Sequence, residues 1–248
     1  MTVGLTVERI NKSYGNKDVL ADISLHVPAG KIVSLLGPSG VGKTTLFNLI
    51  AGLELPDRGS IQLNNEEITG KRGKVSYMLQ KDLLLPYKTM EENLALPLIL
   101  KGVKKKAALK KVAAYLPEFG LSGVEKVYPN ALSGGMRQRA ALLRTYLFSG
   151  ELILLDEPFS ALDAITKRDL HQWFLQMQKE FSLTTLLITH DIDEAILLSD
   201  QIYLLAGSPG VIRETITVSR PENKEVDFSL TPAFLDYKRA ILQKMQTN

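Results

Sequence analysis

Lys31-Ile32-Val33-Ser34-Leu35-Leu36-Gly37-Pro38-Ser39-Gly40-Val41-Gly42-Lys43-Thr44-Thr45 is the stretch on which the reading of this 248-residue chain turns. The run Ile32 to Leu36 carries no charge and has the length of a buried strand, and residues 44–51 follow helical spacing. The intervening residues 37–44 match GxxxxGK followed by Ser or Thr, so strand, glycine-rich loop and helix succeed one another in the order that motif requires. Glycines let the backbone curl until several N–H groups and the positive end of the helix face one anion. Lys43 adds a point charge for terminal phosphates. Thr44 offers a hydroxyl to Mg²⁺, which takes oxygen ligands and keeps its other positions for phosphate and water. A plain glycine turn capping a helix is the alternative, but it has no use for a lysine followed by a hydroxyl.

Similar short apolar runs occur at residues 152–155, 184–189 and 201–205, as buried parallel strands do. The first ends in Asp156 and Glu157, placing two carboxylates at a strand's C-terminal edge, where open α/β sheets bind ligands. Asp156 continues the strand and can hold magnesium through its water shell. Glu157, one residue further, can orient or deprotonate an attacking water. Taken alone the pair could be loop acids; beside a phosphate loop the catalytic reading is preferred. His190 ends the second run and opens on the same edge, within reach of a γ phosphate, while His26 and His171 are assigned structural places.

Composition narrows the classes. Hydrophobic residues make up 45% and charged ones 23%, ordinary for a folded chain. The absence of cysteine excludes disulfide scaffolds, thiolate metal sites and cysteine nucleophiles, and three scattered histidines exclude a histidine-rich metal centre. A net charge of +3 gives no argument for nucleic acid as a partner. The N-terminal residues meet Glu8 and Arg9 before any apolar stretch, and no segment reaches the roughly 18 uncharged apolar residues of a membrane span, so neither a span nor a secretory leader is expected. Lys101, Lys104, Lys105, Lys106, Lys110 and Lys111 crowd one stretch in which Leu109, Val112, Ala113 and Leu116 repeat at helical spacing. That pattern reads as a solvated helix face, or else as a contact with an anionic membrane surface.

Residues 91–149 carry three helical patterns and no strand, which suggests a helical insertion in an α/β domain. Ile23 and Leu25 alternate as in a strand. Leu170, Trp173, Phe174, Met177 and Phe181 describe a helix packed on the sheet. After residue 212 the chain alternates through Glu214, Ile216 and Val218, breaks at Pro221 and ends in a helix carrying Phe234, Tyr237, Ile241 and Met245 on one side.

Leu132-Ser133-Gly134-Gly135-Met136-Arg137-Gln138-Arg139 lies upstream of the acidic strand, and with it the chain resembles the nucleotide-binding subunits of ATP-binding cassette transporters. Ser133, Gly134 and Gly135 stand at a helix start, where they form either a helix cap or a second anion site. The resemblance covers nearly the whole chain. It implies an α/β phosphate-loop fold with a mostly parallel core sheet, an N-terminal antiparallel β subdomain, a helical subdomain at about 81–149 and a short tail at about 207–248, all in one domain.

The family's other motifs carry over residue by residue. Gly37, Pro38, Ser39, Gly40, Val41, Gly42, Lys43, Thr44 and Thr45 would bind ATP, and Tyr14, in KSYG, looks like the aromatic residue that stacks on adenine. Gln80 resembles the glutamine that reaches magnesium and the attacking water, Asp163 the residue that couples two sites across a dimer, and His190 the switch histidine. The resemblance thus implies an active ATPase using Glu157, His190, Lys43 and Gln80, with Mg²⁺ held by Thr44, Gln80 and Asp156. Two subunits would pair head to tail, each ATP sandwiched between one phosphate loop and the partner's LSGG, with a second copy the expected partner.

The segment KDLLLPYKTMEENLALPL at residues 81–98 and the tail beginning Ser219-Arg220-Pro221 are similar to those of the nitrate, sulfonate and taurine importers. That subgroup implies an integral membrane permease, an extracytoplasmic solute-binding protein and a place on the cytoplasmic face of the membrane. An exporter or lipid-extraction ATPase is the alternative within the family. A soluble cassette acting on ribosomes or DNA is the alternative outside transport, and it usually needs two cassettes or a long coiled coil, neither of which is found here.

Overall fold

The computed structural model describes residues 4–149, 151–220 and 227–246. Strands β1 (Leu5–Tyr14) and β2 (Lys17–Val27) form a hairpin that leads into β3 (Ile32–Leu36) and, through the phosphate loop, into α1 (Lys43–Ile50). All five residues of β3 are buried. The polar one, Ser34, is matched by a hydroxyl–hydroxyl bond to Ser199. Two glycines of the loop have steric reasons to be glycine: a Cβ on Gly37 would lie 2.3 Å from the Leu205 carbonyl oxygen, and Gly42, at φ +108°, would press one to 2.6 Å from Leu20.

Next come β4 (Arg58–Leu63), β5 (Glu66–Glu67) and β6 (Ser76–Met78). Three helices follow before the sheet resumes: α2 (Met90–Leu100), α3 (Lys105–Tyr115) and α4 (Gly134–Phe148). Thr89 precedes α2 and its N–H donates to the Glu92 carboxylate at 3.4 Å, with Glu91 and Glu92 in the first turn where the helix dipole favours acids. The chain then alternates β7 (Ile153–Asp156), α5 (Ala164–Phe181), β8 (Thr185–Thr189), α6 (Ile192–Leu198), β9 (Gln201–Ala206) and β10 (Val211–Thr217), and closes with α7 (Pro232–Gln246).

Two sheets result. An antiparallel one has the order β2-β1-β4-β5, and a six-stranded one the order β10-β9-β3-β8-β7-β6, parallel except for β10. Strands β7 and β8 are buried on both faces, which is why they read as unbroken apolar runs. One core lies between the two sheets around Phe47, Leu46 and Ile50 of α1. A second joins the opposite face of the large sheet to the α2–α4 helices, and a third lies under α7.

The residue-level expectations hold with two adjustments. On α3 the buried residues are Ala108 and Val112, followed by Leu116 beyond the helix, while Ala113 is exposed: the helix buries one narrow stripe, and position 113 lies outside it. On α5, Leu170, Phe174 and Met177 are buried, but Trp173 and Phe181 are only half-buried and face aromatic rings of the inserted helices. Phe119 stands 5.5 Å from Trp173, and Tyr146 stands 5.2 Å from Phe181, between ring centroids. The α7 stripe of Phe234, Tyr237, Ile241 and Met245 packs on the third core as its spacing predicts. Pro221 lies outside the described residues.

Candidate active site

Three strand ends, of β3, β7 and β8, meet at one edge of the large sheet and carry the phosphate loop, the acidic pair and His190. Lys43 curls back over its own loop, its ammonium donating to the carbonyls of Gly37 at 2.8 Å and Pro38 at 2.9 Å. Burial holds its pKa below the usual lysine range, against the pull of Glu157 and Asp156. A cation kept in so dry a place lacks a full counter-charge, which a polyphosphate would supply.

Asp156 is 7% exposed, and its Oδ2 accepts from the hydroxyls of Thr44 and Tyr77, each at 3.4 Å. Burial first, and the neighbouring Glu157 second, raise its carboxyl above the ordinary aspartate range. Burial and the same aspartate push the Tyr77 phenol upward. The Thr44 hydroxyl and the Asp156 carboxylate form a pair of hard oxygen donors. Among the described residues no group of three or more His, Cys, Asp or Glu side chains is placed to hold a metal. A pair of this kind fits magnesium, which draws its remaining ligands from phosphate and water, and does not fit a metal needing a full protein cage.

Glu157 sits at φ +46°, a left-handed conformation that turns its side chain out of the strand line. Its N–H bonds back to the Ile188 carbonyl of β8, and its own carbonyl accepts from the Ser160 hydroxyl, so the strained residue is held by backbone on both sides. Its carboxylate is gripped from two directions: Oε1 lies 2.9 Å from His190 Nδ1, and Oε2 accepts from the Gln80 amide at 3.1 Å. Gln80 also reaches Ser160 at 3.5 Å. The residues singled out as catalytic in the sequence thus gather at one sheet edge, with Gln80 and His190 both on the Glu157 carboxylate.

Tyr14 ends β1, half-exposed, its phenol donating to the Glu54 carboxylate and also bonding the Thr45 side chain, with Lys12 Nζ 5.1 Å from the ring centroid. An aromatic face therefore stands next to the phosphate loop. Ser133 caps α4 by accepting from Met136 N–H at 3.3 Å, and a Cβ on Gly135 would come within 3.1 Å of Thr166. Asp163 caps α5, accepting from Ile165 and Thr166 N–H; the Thr166 side chain first, and these backbone bonds after it, hold its carboxyl below the usual range. Among the described residues no hydrogen bond or ion pair joins Ser133, Gly134, Gly135 or Asp163 to the phosphate loop. Within one chain Ser133 and Asp163 are helix caps, with Gly134 and Gly135 opening α4.

Sequence reasoning missed three contributors. Tyr77 on Asp156 could have been suspected from a polar tip interrupting the short strand Ser76–Met78. Gln138, inside the LSGGMRQR motif but given no role there, donates to the carbonyl of Pro158 and so ties α4 to the loop after Asp156, and Ser160, which carries no local sequence signal, braces Glu157.

A phosphate loop at the switch point of a mostly parallel sheet, an acidic strand end beside it and a polar cluster around one glutamate define a nucleotide-hydrolysing phosphate-loop domain. The family model described as ABC transporter matches residues 20–160, and the chain belongs to the ABC transporter family, as an ATP-binding, ATP-hydrolysing cassette. It is 47% identical to the formylaminopyrimidine import ATP-binding protein ThiZ of Halalkalibacterium halodurans, over 83% of this chain and 80% of that protein. It is 40% identical to the taurine import ATP-binding protein TauB of Escherichia coli O157:H7, over 87% of this chain and 84% of that one. Among solved structures it is similar to a dimeric ATP-binding cassette in a post-hydrolysis state bound to ADP and Pi, with TM-score 0.73 and 29% identity over 87% of this chain and 99% of that chain.

Proposed function

We propose that this chain energises an importer: it hydrolyses ATP at the cytoplasmic face of a membrane to drive uptake of a small solute, a nitrate-, sulfonate- or taurine-like anion or a vitamin precursor, through an integral membrane permease. An extracytoplasmic solute-binding protein would deliver the solute. The import relatives support this reading. The active unit would be two copies arranged head to tail, residues 37–45 of one facing Ser133, Gly134 and Gly135 of the other, with Asp163 beside the shared interface and Tyr14 against the adenine. Ser133 and Asp163 are exposed and Gly134 and Gly135 partly so, with no hydrogen bond to their own phosphate loop among the described residues, which leaves them available for such pairing.

Lys43 would leave the carbonyls of Gly37 and Pro38 for the β and γ phosphates, exchanging neutral partners for charged ones. Thr44 and Asp156, with Gln80 near them, would hold Mg²⁺, which when bound neutralises the developing charge on the phosphoryl oxygens. Glu157 would orient the attacking water and accept its proton, and His190 would hydrogen-bond the γ phosphate. In the structure Gln80 and His190 each engage one Glu157 oxygen, and a carboxylate oxygen can accept a second hydrogen bond, so the two side chains would aim the carboxylate while a water takes a remaining lone pair. Gln80 begins the segment expected to meet the permease, which makes its bond to Glu157 a natural point of control.

The observation that carries the proposal is the gathering of Gln80, Glu157 and His190 next to Lys43, Thr44 and Asp156. Its test is Glu157→Gln. Turnover should fall by roughly 100-fold or more, with ATP-bound dimer accumulating on a sizing column. Wild-type turnover in the variant would remove Glu157 from its assigned role.

A further inference from the structure

Helix α3 is built against its own interest. Residues 93–117 contain six lysines and no acidic residue, in a chain whose net charge is only +3, so the rest of the molecule is acidic on balance. Lys105 and Lys106 occupy the first turn, where the helix dipole disfavours cations, Lys104 at the N-cap position makes no side-chain cap, and the first turn of the helix holds no acid of its own. Lys106 and Lys110 are further set at i and i+4, a repulsive spacing on a helix surface. Two of the six are committed: Lys105 pairs with Glu92 at 2.8 Å, and Lys101 donates to the Phe148 carbonyl while lying over that ring. Among the described residues Lys104, Lys106, Lys110 and Lys111 have no side-chain partner, and all four are exposed. The other exposed positions of the helix are Ala107, Ala113 and Ala114, too short to screen them. Leu100, 77% exposed at the end of α2, stands just before the first lysine.

A conflict repeated at this many positions, with nothing inside the fold to relieve it, points to a counterpart outside the fold. We propose that the exposed face of α3, with Leu100 beside it, docks on the anionic headgroups of a lipid bilayer. Unpaired lysines spread over the solvent side of the helix, with one exposed leucine shortly before them in the chain, are the chemistry such a surface recognises: long ammonium arms reach phosphate groups while the apolar side chain enters the headgroup boundary. An acidic protein segment would satisfy the charges but gives no use for Leu100. The inference rests on the reading that the chain works at a membrane. It adds that the subunit contacts lipid directly, independently of the permease, and by its inserted helices.

The test is flotation of the purified full-length protein with vesicles of phosphatidylcholine alone and of phosphatidylcholine mixed with phosphatidylglycerol, without permease. Wild type should float with the anionic vesicles only, and release as salt is raised. Replacing Lys104, Lys106, Lys110 and Lys111 together by glutamine should weaken that binding on the order of 100-fold, at roughly fivefold or less per lysine, with ATPase activity in solution unchanged. Leu100→Ser should weaken it severalfold at fixed salt. Because the glutamines relieve repulsion within α3, a thermal melt should show the quadruple variant at least as stable as wild type, separating loss of binding from loss of fold. Failure of wild type to bind anionic vesicles, or equal binding by the quadruple variant, overturns the proposal. So does binding that appears only when the permease is present and is lysine-dependent, since the face then docks on protein. Permease capture, scored separately from the same preparations, decides the transporter reading whatever the lipid result.

Discussion

Asp156 shows how this site trades stability for chemistry. Its carboxyl has a higher pKa in the folded chain than unfolded, chiefly through burial, so ionising it costs more in the nucleotide-free fold than in the unfolded chain. The resulting penalty is present once pH exceeds the folded-state pKa and fades as pH falls through it. Asp156→Asn should therefore raise the melting temperature of the nucleotide-free protein at neutral pH by roughly 1–3 °C while abolishing magnesium-dependent turnover. A lowered melting temperature in that variant would mean the carboxylate is stabilising after all. Lys43 has the opposite shift for the same reason, burial, and in the proposed mechanism phosphate would answer the lysine and magnesium the aspartate. Gly42 belongs at this scale too. At φ +108° and with Leu20 against the missing Cβ, Gly42→Ala should cost about 1–3 kcal/mol and be visible in a denaturant melt even without nucleotide.

Between elements, the link that matters most joins α4 to the segment after Gln80. Arg144 donates to the carbonyls of Asp82 and Leu83, the first of these very closely, and Arg137 forms an ion pair with Asp82 at 3.3 Å. The guanidinium of Arg144 is largely buried, which lowers its pKa without threatening its charge. Leu83, between these anchors and at φ +47°, is 51% exposed, and Tyr87 is 72% exposed, an apolar surface held rigid from behind. Arg144→Met should leave basal ATPase within about twofold and reduce permease-stimulated turnover about tenfold or more, since it frees the loop without touching Glu157. Equal stimulation of variant and wild type would show that the loop needs no clamp.

The whole molecule was legible in its sequence to unequal degrees. Strands β3, β7, β8 and β9 were readable because burial on both faces leaves a continuous apolar run, and the phosphate loop was readable because its glycines and lysine follow one backbone geometry. The N-terminal hairpin was harder. Strand β1 shifts register against β2 in three places, with Arg9 at positive φ, which breaks the alternation that would have announced it. The convergence of Gln80 and His190 on Glu157 was not readable as a contact at all, because 77 residues separate Gln80 from Glu157 and the sheet order alone brings them together. Ala113 was misplaced because a helix that buries so narrow a stripe leaves the width of its apolar face undefined by spacing. At this scale Leu83→Glu or Tyr87→Glu should uncouple transport in a vesicle uptake assay while sparing basal hydrolysis; unchanged uptake in both would move the permease contact elsewhere.

The most direct test of an ATPase that drives import is the rate of ATP turnover by the subunit bound to its permease in vesicles, measured with and without the solute-loaded binding protein. Stimulation severalfold or more by the loaded binding protein, absent in Glu157→Gln, is the predicted result. Turnover indifferent to the binding protein and its solute, in a complex that hydrolyses ATP normally, would contradict the import reading and leave only the ATPase.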